Sequence, residues 1–126
     1  HMAWALDSER PIYAQIIERV QLDIITGHYK PGEKLPSVRD LASEAAVNPN
    51  TMQKALSELE QSGLLYTQRT SGRFITEDTE LIQRMKTTLA TMQVREFIHK
   101  MRQIGLDDTE ILQLIQTIMK EEAVYE

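Results

Sequence analysis

Apolar positions along the chain fall into five stripes of helical period and two short runs of strand type. Pro11 opens the first helix, which runs to about Thr26 with Ile12, Ile16, Ile17, Val20 and Ile24 on one face. Gly27 closes it, and the turn at Pro31-Gly32 leads into a short extended piece at Glu33 to Leu35. Ser37 caps the next helix, with Asp40 three residues on to form a capping box and Val38, Leu41, Ala42 and Ala45 facing inward. Another helix starts after only a short turn: Asn48 is its cap, Pro49 its first residue, and Met52, Ala55, Leu56 and Leu59 its buried stripe. Val47 is left to plug the gap between the two.

Beyond Gly63, Leu64 to Thr67 and Arg73 to Thr76 are rich in strand formers and flank the tip RTSG, which predicts a hairpin with a basic end. Glu77 to Ile104 predicts a long helix carrying Leu81, Ile82, Met85, Leu89, Met92, Phe97, Ile98 and Met101. Its stripe drifts between Met92 and Phe97, which predicts a bend or a change of partner. Gly105 breaks this helix, and Asp107 with Glu110 caps a last one bearing Ile111, Leu112, Leu114, Ile115, Ile118 and Met119. Ala3 to Asp7 is a short strand or arm, with Trp4 and Leu6 on one side if extended.

A helix, a short strand, two helices joined by a tight turn and then a hairpin is the order of a winged helix-turn-helix. In that architecture the second helix of the pair lies in the DNA major groove with its free amides near phosphate. An ordinary helical hairpin explains the two short amphipathic helices taken alone, and the hairpin that follows them tips the balance. The fold expected is therefore α+β and mainly helical. Residues 1–10 form a tag remnant and N-terminal arm, 11–76 the DNA-binding domain and 77–126 a short two-helix dimerisation tail. His1-Met2 reads as a cloning-tag junction and takes no part in the argument.

Length and composition narrow the function. A chain of 126 residues buries one modest core, and its zero cysteines exclude disulfides and thiolate chemistry. No run is apolar enough to cross a membrane and no signal peptide is present, so a soluble cytoplasmic protein is expected. The net charge of −5 argues against nucleic acid until it is divided along the chain. Residues 10–76 carry eight basic and seven acidic side chains, whereas 77–126 carry six and ten, so the acid lies outside the helix-turn-helix. His28 and His99 have no second ligand at metal spacing, and no catalytic constellation or phosphate loop is present. No enzyme, metal or cofactor is expected.

The series PIYAQI, KPGEKLPSVRDLA, VNPNTMQKAL and LEQSGLL, followed by a basic wing, resembles the N-terminal domain of GntR-family bacterial transcription regulators. The resemblance covers about residues 10 to 76, and the small helical tail together with NPNT is similar to the YtrA subfamily. It implies a homodimeric repressor of an inverted-repeat operator, often one serving a neighbouring transporter operon. DNA contacts fall on Arg39, on Asn48, Asn50, Thr51 and Gln53, and on the wing at Arg69, Gly72 and Arg73, with Lys54 at phosphate. Pro49 and Gln53 stand where the fatty-acid-type branch has basic residues, so the operator of that branch does not carry over.

The residue chemistry is consistent with those roles. Arginines make multidentate contacts to phosphate or guanine, Gln53 and Asn50 present a paired donor and acceptor to adenine, and Thr51 and Asn48 bond phosphate oxygen. The bland reading of Arg39 is an ion pair with Asp40 or Glu44 on its own helix. Asn48 is a cap and Gly72 a turn residue whatever else they do.

The dimer seam is expected at Leu81, Met85, Leu89, Met92, Phe97, Met101, Ile111, Ile115 and Ile118. Met85, Met92, Met101 and Met119 fit a core or seam better than an adaptable pocket for an unidentified small-molecule effector. The rival function is a winged helix that binds protein through its acidic tail; salt-sensitive binding to duplex DNA separates the two.

Overall fold

The computed structural model describes Trp4 to Val124; the tag junction at His1-Met2 lies outside the described residues. The elements are α1 (Ile12–Ile25), α2 (Val38–Ala45), α3 (Pro49–Gln61), β1 (Leu65–Gln68), β2 (Gly72–Ile75), α4 (Thr79–Ile104) and α5 (Asp108–Val124). The fold is the expected one, mainly helical with a two-stranded antiparallel wing. The chain divides within α4 into two compact units, one ending at Lys86 and the other beginning at Thr87.

The first unit is built around one apolar core. Ile16, Val20 and Ile24 of α1 meet Leu41, Ala42 and Ala45 of α2 and Met52, Ala55, Leu56 and Leu59 of α3. Leu35, Leu64, Leu65 and Ile75 close it on the side of the wing. Pro11 is the N-cap of α1 and not its first turn, because its ψ of 126° is still extended. Gln15 ties the preceding arm to α1: its Oε1 accepts from the Asp7 amide at 2.7 Å and its Nε2 donates to the Asp7 carbonyl at 2.6 Å. Trp4 to Asp7, the described part of the expected strand or arm, is an arm, and Trp4 is buried beneath the Arg19 guanidinium, 4.6 Å from the ring centroid.

Helix caps follow the sequence with one instructive exception. Ser37 Oγ accepts from the Asp40 amide at 3.1 Å, but Asp40 returns no bond to the Ser37 amide. The aspartate is one methylene shorter than the glutamate a full capping box uses. Asp107 and Glu110 make both bonds, at 2.8 and 3.0 Å. Asp78 caps α4 by accepting from the Leu81 amide at 3.0 Å, so that helix starts at Thr79 and not at the expected Glu77.

Three helices end in the same pair of bonds, closing with a residue in the left-handed region. After α3, the Leu64 amide donates to Leu59 at 3.2 Å and the Gly63 amide to Glu60 at 3.0 Å. After α4, Gly105 and Leu106 repeat the pattern. After α2, Val47 donates to Ala42 at 2.9 Å and Ala46 to Ser43 at 3.2 Å, with Ala46 at φ 59° and ψ 47°. The turn between the two helices of the motif thus places an alanine where its two counterparts carry glycine. No residue preference points to this, since alanine reads as a helix former.

The wing joins Leu65 to Ile75 and Gln68 to Gly72 across a three-residue tip, Arg69 to Ser71. The extended piece before α2 adds a partial third strand: Lys34 pairs with Phe74, and the Leu35 amide donates to the Arg73 carbonyl at 2.9 Å. Tyr66 and Phe74 stack across the strands with centroids 5.7 Å apart.

The first unit extends past the wing to Lys86 because Leu81, Ile82 and Met85 pack against its core. Leu81 and Met85, expected at a dimer seam, therefore face the winged helix, where α4 needs an anchor. In the second unit Ile111 is buried and Leu89, Met101 and Ile115 are half-buried. Met92, Phe97, Leu112, Ile118 and Met119 are exposed. The stretch from Met92 to Phe97, where a bend or a change of partner is expected, lies wholly within the second unit, and the helix runs unbroken for 26 residues.

An alanine in the left-handed region costs about 1–2 kcal/mol, part of which a glycine returns to the unfolded chain as entropy. Ala46→Gly is therefore expected to stabilise the fold by up to about 1 kcal/mol, read as a rise in the urea midpoint at constant slope. A lower midpoint would mean that the Ala46 methyl contributes more packing than its backbone strain costs.

Candidate nucleic-acid interface

The apolar stripe of α3 fixes which of its residues face out. Met52, Ala55, Leu56 and Leu59 are essentially fully buried, so Asn50, Gln53 and Lys54 are left on the open side with Thr51 half-covered. Asn48 begins the helix by accepting from the Asn50 amide at 2.7 Å through its Oδ1, which satisfies one free donor of the first turn. No acidic side chain occupies that first turn, so the positive end of the helix dipole is uncompensated.

Basic groups stand on α2, on the wing tip and on the strand beside it. Arg39 is exposed and, among the described residues, makes no ion pair; neither Asp40 nor Glu44 holds it. Arg69 at the wing tip is likewise exposed and unpaired. Lys34 was not singled out in the sequence, yet it lines a cleft with Ser37 and Asp40 of the α2 start and Ser71 and Gly72 of the wing. Gly72 has φ 101°, a backbone conformation that favours glycine, and a Cβ there would lie 3.4 Å from Lys34 Cε, in ordinary contact with the lysine.

Three of the expected contact residues, Lys54, Gln53 and Arg73, already engage other side chains. The Lys54 ammonium lies 4.0 Å from the centroid of Tyr13 at the start of α1, which restrains it without removing its charge. Arg73 donates through Nε to Glu60 in a close ion pair, and through Nη1 to Gln53 Oε1 at 3.4 Å. Only 16% of the Arg73 side chain is exposed. Burial pushes the Glu60 carboxyl upward, but the bonds and charge of Arg73, with the Thr67 hydroxyl, outweigh it and hold the group below its ordinary value. Sequence reading missed Glu60 and Ser57. Their spacing carried the signal, because Gln53, Ser57 and Glu60 recur at i, i+4 and i+7 on one helix face.

These features define the class: a winged helix-turn-helix whose second helix presents a polar face with no acid in its first turn, between an unpaired arginine on α2 and a basic wing. The family model for "Bacterial regulatory proteins, gntR family" matches residues 12–75, and the chain belongs to that family. It is 38% identical over 110 residues to the HTH-type transcriptional regulator YhcF of Bacillus subtilis, covering 87% of this chain and 91% of that one. It is 40% identical over 100 residues to the HTH-type transcriptional repressor YtrA of the same organism, covering 79% of this chain and 72% of YtrA.

Among solved structures, a GntR family transcriptional regulator from Listeria monocytogenes superposes with a TM-score of 0.85 at 37% identity, over 89% of this chain and 98% of that one. The AraR DNA-binding domain in complex with operator ORX1 superposes at 0.51 and 30% identity, over 60% of this chain and 93% of that domain. No helix among the described residues is long and apolar enough to cross a membrane.

The lowered Glu60 sets a direction for acid unfolding. A carboxylate whose folded value lies below the ordinary 4.5 contributes stability that is complete above that value and lost as pH falls through the folded one. Glu60→Gln removes the titrating group, so its stability is expected to fall less than that of the parent chain between about pH 5 and pH 3. Parallel losses in urea titrations across that window would show that Glu60 ionises alike in the folded and unfolded chains.

Proposed function

We propose that the chain is a homodimeric repressor that binds an inverted-repeat operator, with α3 in the major groove and the wing on the adjoining backbone. The observation that carries this reading is the outward face of α3, rich in amides and without acid in its first turn, framed by Arg39 and Arg69, which among the described residues make no ion pair. Asn50 and Gln53 read base edges, Asn48 and Thr51 bond phosphate, and Arg39, Lys34, Lys54 and the Arg69–Gly72 tip supply the charge-dependent part of binding. The operator complex of the AraR domain supports this use of the fold, and the repressor YtrA supports repression. Control of a neighbouring transporter operon fits the same likeness.

The second unit supplies the dimer. Met92, Phe97, Leu112, Ile118 and Met119 are exposed there, more apolar surface than a solitary helical tail hides. Leu89, Met101, Ile111 and Ile115 form the inner side of that seam. A two-fold dimer sets its recognition helices apart by about one turn of DNA, near ~34 Å, or a multiple of it. A small-molecule effector that alters the angle between tails would change that spacing and weaken one half-site.

One set of titrations tests both halves. The chain is measured against DNA from its own upstream region, with scrambled duplex as competitor, at two salt concentrations. Arg39→Ala is expected to weaken binding alike on both duplexes and lower the log–log salt slope by about one. Phe97→Asp is expected to yield a monomer in sedimentation and to weaken operator binding at least about tenfold. Unchanged binding and slope in Arg39→Ala would sink the DNA face, and a monomeric parent chain would sink the seam.

A further inference from the structure

Gln53 stands on the outward face of α3 with both ends of its amide already bonded. Its Oε1 accepts from Arg73 Nη1 at 3.4 Å and its Nε2 donates to Ser57 Oγ at 3.4 Å. Arg73 is itself braced through Nε by Glu60, which is 30% exposed against 16% for the arginine. The three partners come from two elements: Gln53, Ser57 and Glu60 from α3, and Arg73 from β2.

A primary amide has two acceptor positions on its oxygen and two hydrogens on its nitrogen. Each internal bond uses one, so one acceptor and one donor remain. That is the pair that the N6 amino group and N7 of adenine require in the major groove.

The sense of the amide matters as much as its place, because a flipped amide offers donor and acceptor in reverse order. Arginine has only donors, whereas the Ser57 hydroxyl gives or accepts. A flipped Gln53 would set its NH₂ against Arg73 N–H, donor facing donor, and Ser57 cannot relieve that clash. Arg73 alone therefore decides which way the amide points. Its charge is meanwhile balanced by Glu60, and little of its side chain is open to solvent.

We infer that Arg73 is a positioning residue for base reading: braced by Glu60, it locks the Gln53 amide in one orientation and does not itself neutralise a phosphate. The inference rests on the operator reading of α3 proposed above and adds a second role for the wing. The hairpin touches DNA at its tip and, through β2, disciplines the recognition helix. Among the described residues Glu60 is the one carboxylate bonded to this arginine, and removing it frees a charge while loosening the amide.

The test uses the full chain and a duplex chosen by it from a random library, with each base replaced in turn. Arg73→Lys is the informative variant, since lysine keeps the charge but has no planar fork to bridge Glu60 and Gln53. Positioning predicts that Arg73→Lys loses about tenfold or more of the preference at the base pair that Gln53→Ala also relaxes, with the salt slope unchanged. In the Gln53→Ala background, Arg73→Lys should have no further effect on that preference.

The side-chain amide resonances of Gln53 in the free chain give a reading independent of DNA, and report whether the variant is still folded. They should move toward unstructured values in Arg73→Lys while the core signals stay in place. Full base preference in Arg73→Lys, combined with a salt slope lowered by about one in Arg73→Met, would make Arg73 a phosphate contact and overturn the inference. An unmoved Gln53 amide in Arg73→Lys would overturn it as well. A parent chain that enriches no sequence from the library would instead overturn the operator reading, which keeps the two failures apart.

Discussion

Everything on the DNA-facing side depends on the burial of one stripe of α3. Met52, Ala55, Leu56 and Leu59 lie in the core with at most 1% exposure, and each large side chain contributes about 1.5–3 kcal/mol of apolar burial. Rotating the helix would bring Gln53 or Lys54 inward at the expense of those contacts and of an unpaired polar group. The outward face is thereby fixed by the inward one. Ala45, Ala42 and Ala55 keep the crossing of α2 and α3 close, and the Ala46 turn sets its angle at the cost of backbone strain.

From that constraint the other elements take their tasks. Asn48 caps the Asn50 amide and leaves that of Thr51 open in the first turn of α3, the wing returns to the helix through Arg73 and Glu60, and Lys34 lies beside Gly72 of the wing. Arg39 on α2 and Arg69 on the wing tip remain exposed and, among the described residues, without an ion pair. The local distribution of charge thus matters more than the net charge of −5, whose acid is concentrated beyond residue 76.

Much of this was legible in the sequence, for reasons that differ by element. Period and caps placed every helix to within two residues, because apolar spacing and capping chemistry are local. Contacts between elements were not legible in the same way. Nothing near Arg73 in sequence names Glu60 as its partner, and nothing near Leu81 or Met85 says that a helix expected to pair with another chain first anchors on its own domain. The left-handed Ala46 was hidden because its strain comes from tertiary closure of the turn and not from residue preference. Arg39 went the other way: acids lie one and five positions along, yet it stays unpaired, so the charged neighbours in sequence were a false lead.

The central claim is that the face opposite the buried stripe of α3 enters the major groove of two half-sites at once. Dimethyl sulfate protection of the chain's own upstream DNA reads that directly, because it reports the accessibility of guanine N7 in the major groove. Two protected patches on one face of the duplex, their centres about one helical turn or a whole multiple apart, are the expected result. Binding that leaves every N7 reactive, or that protects a single patch at saturation, would contradict the account.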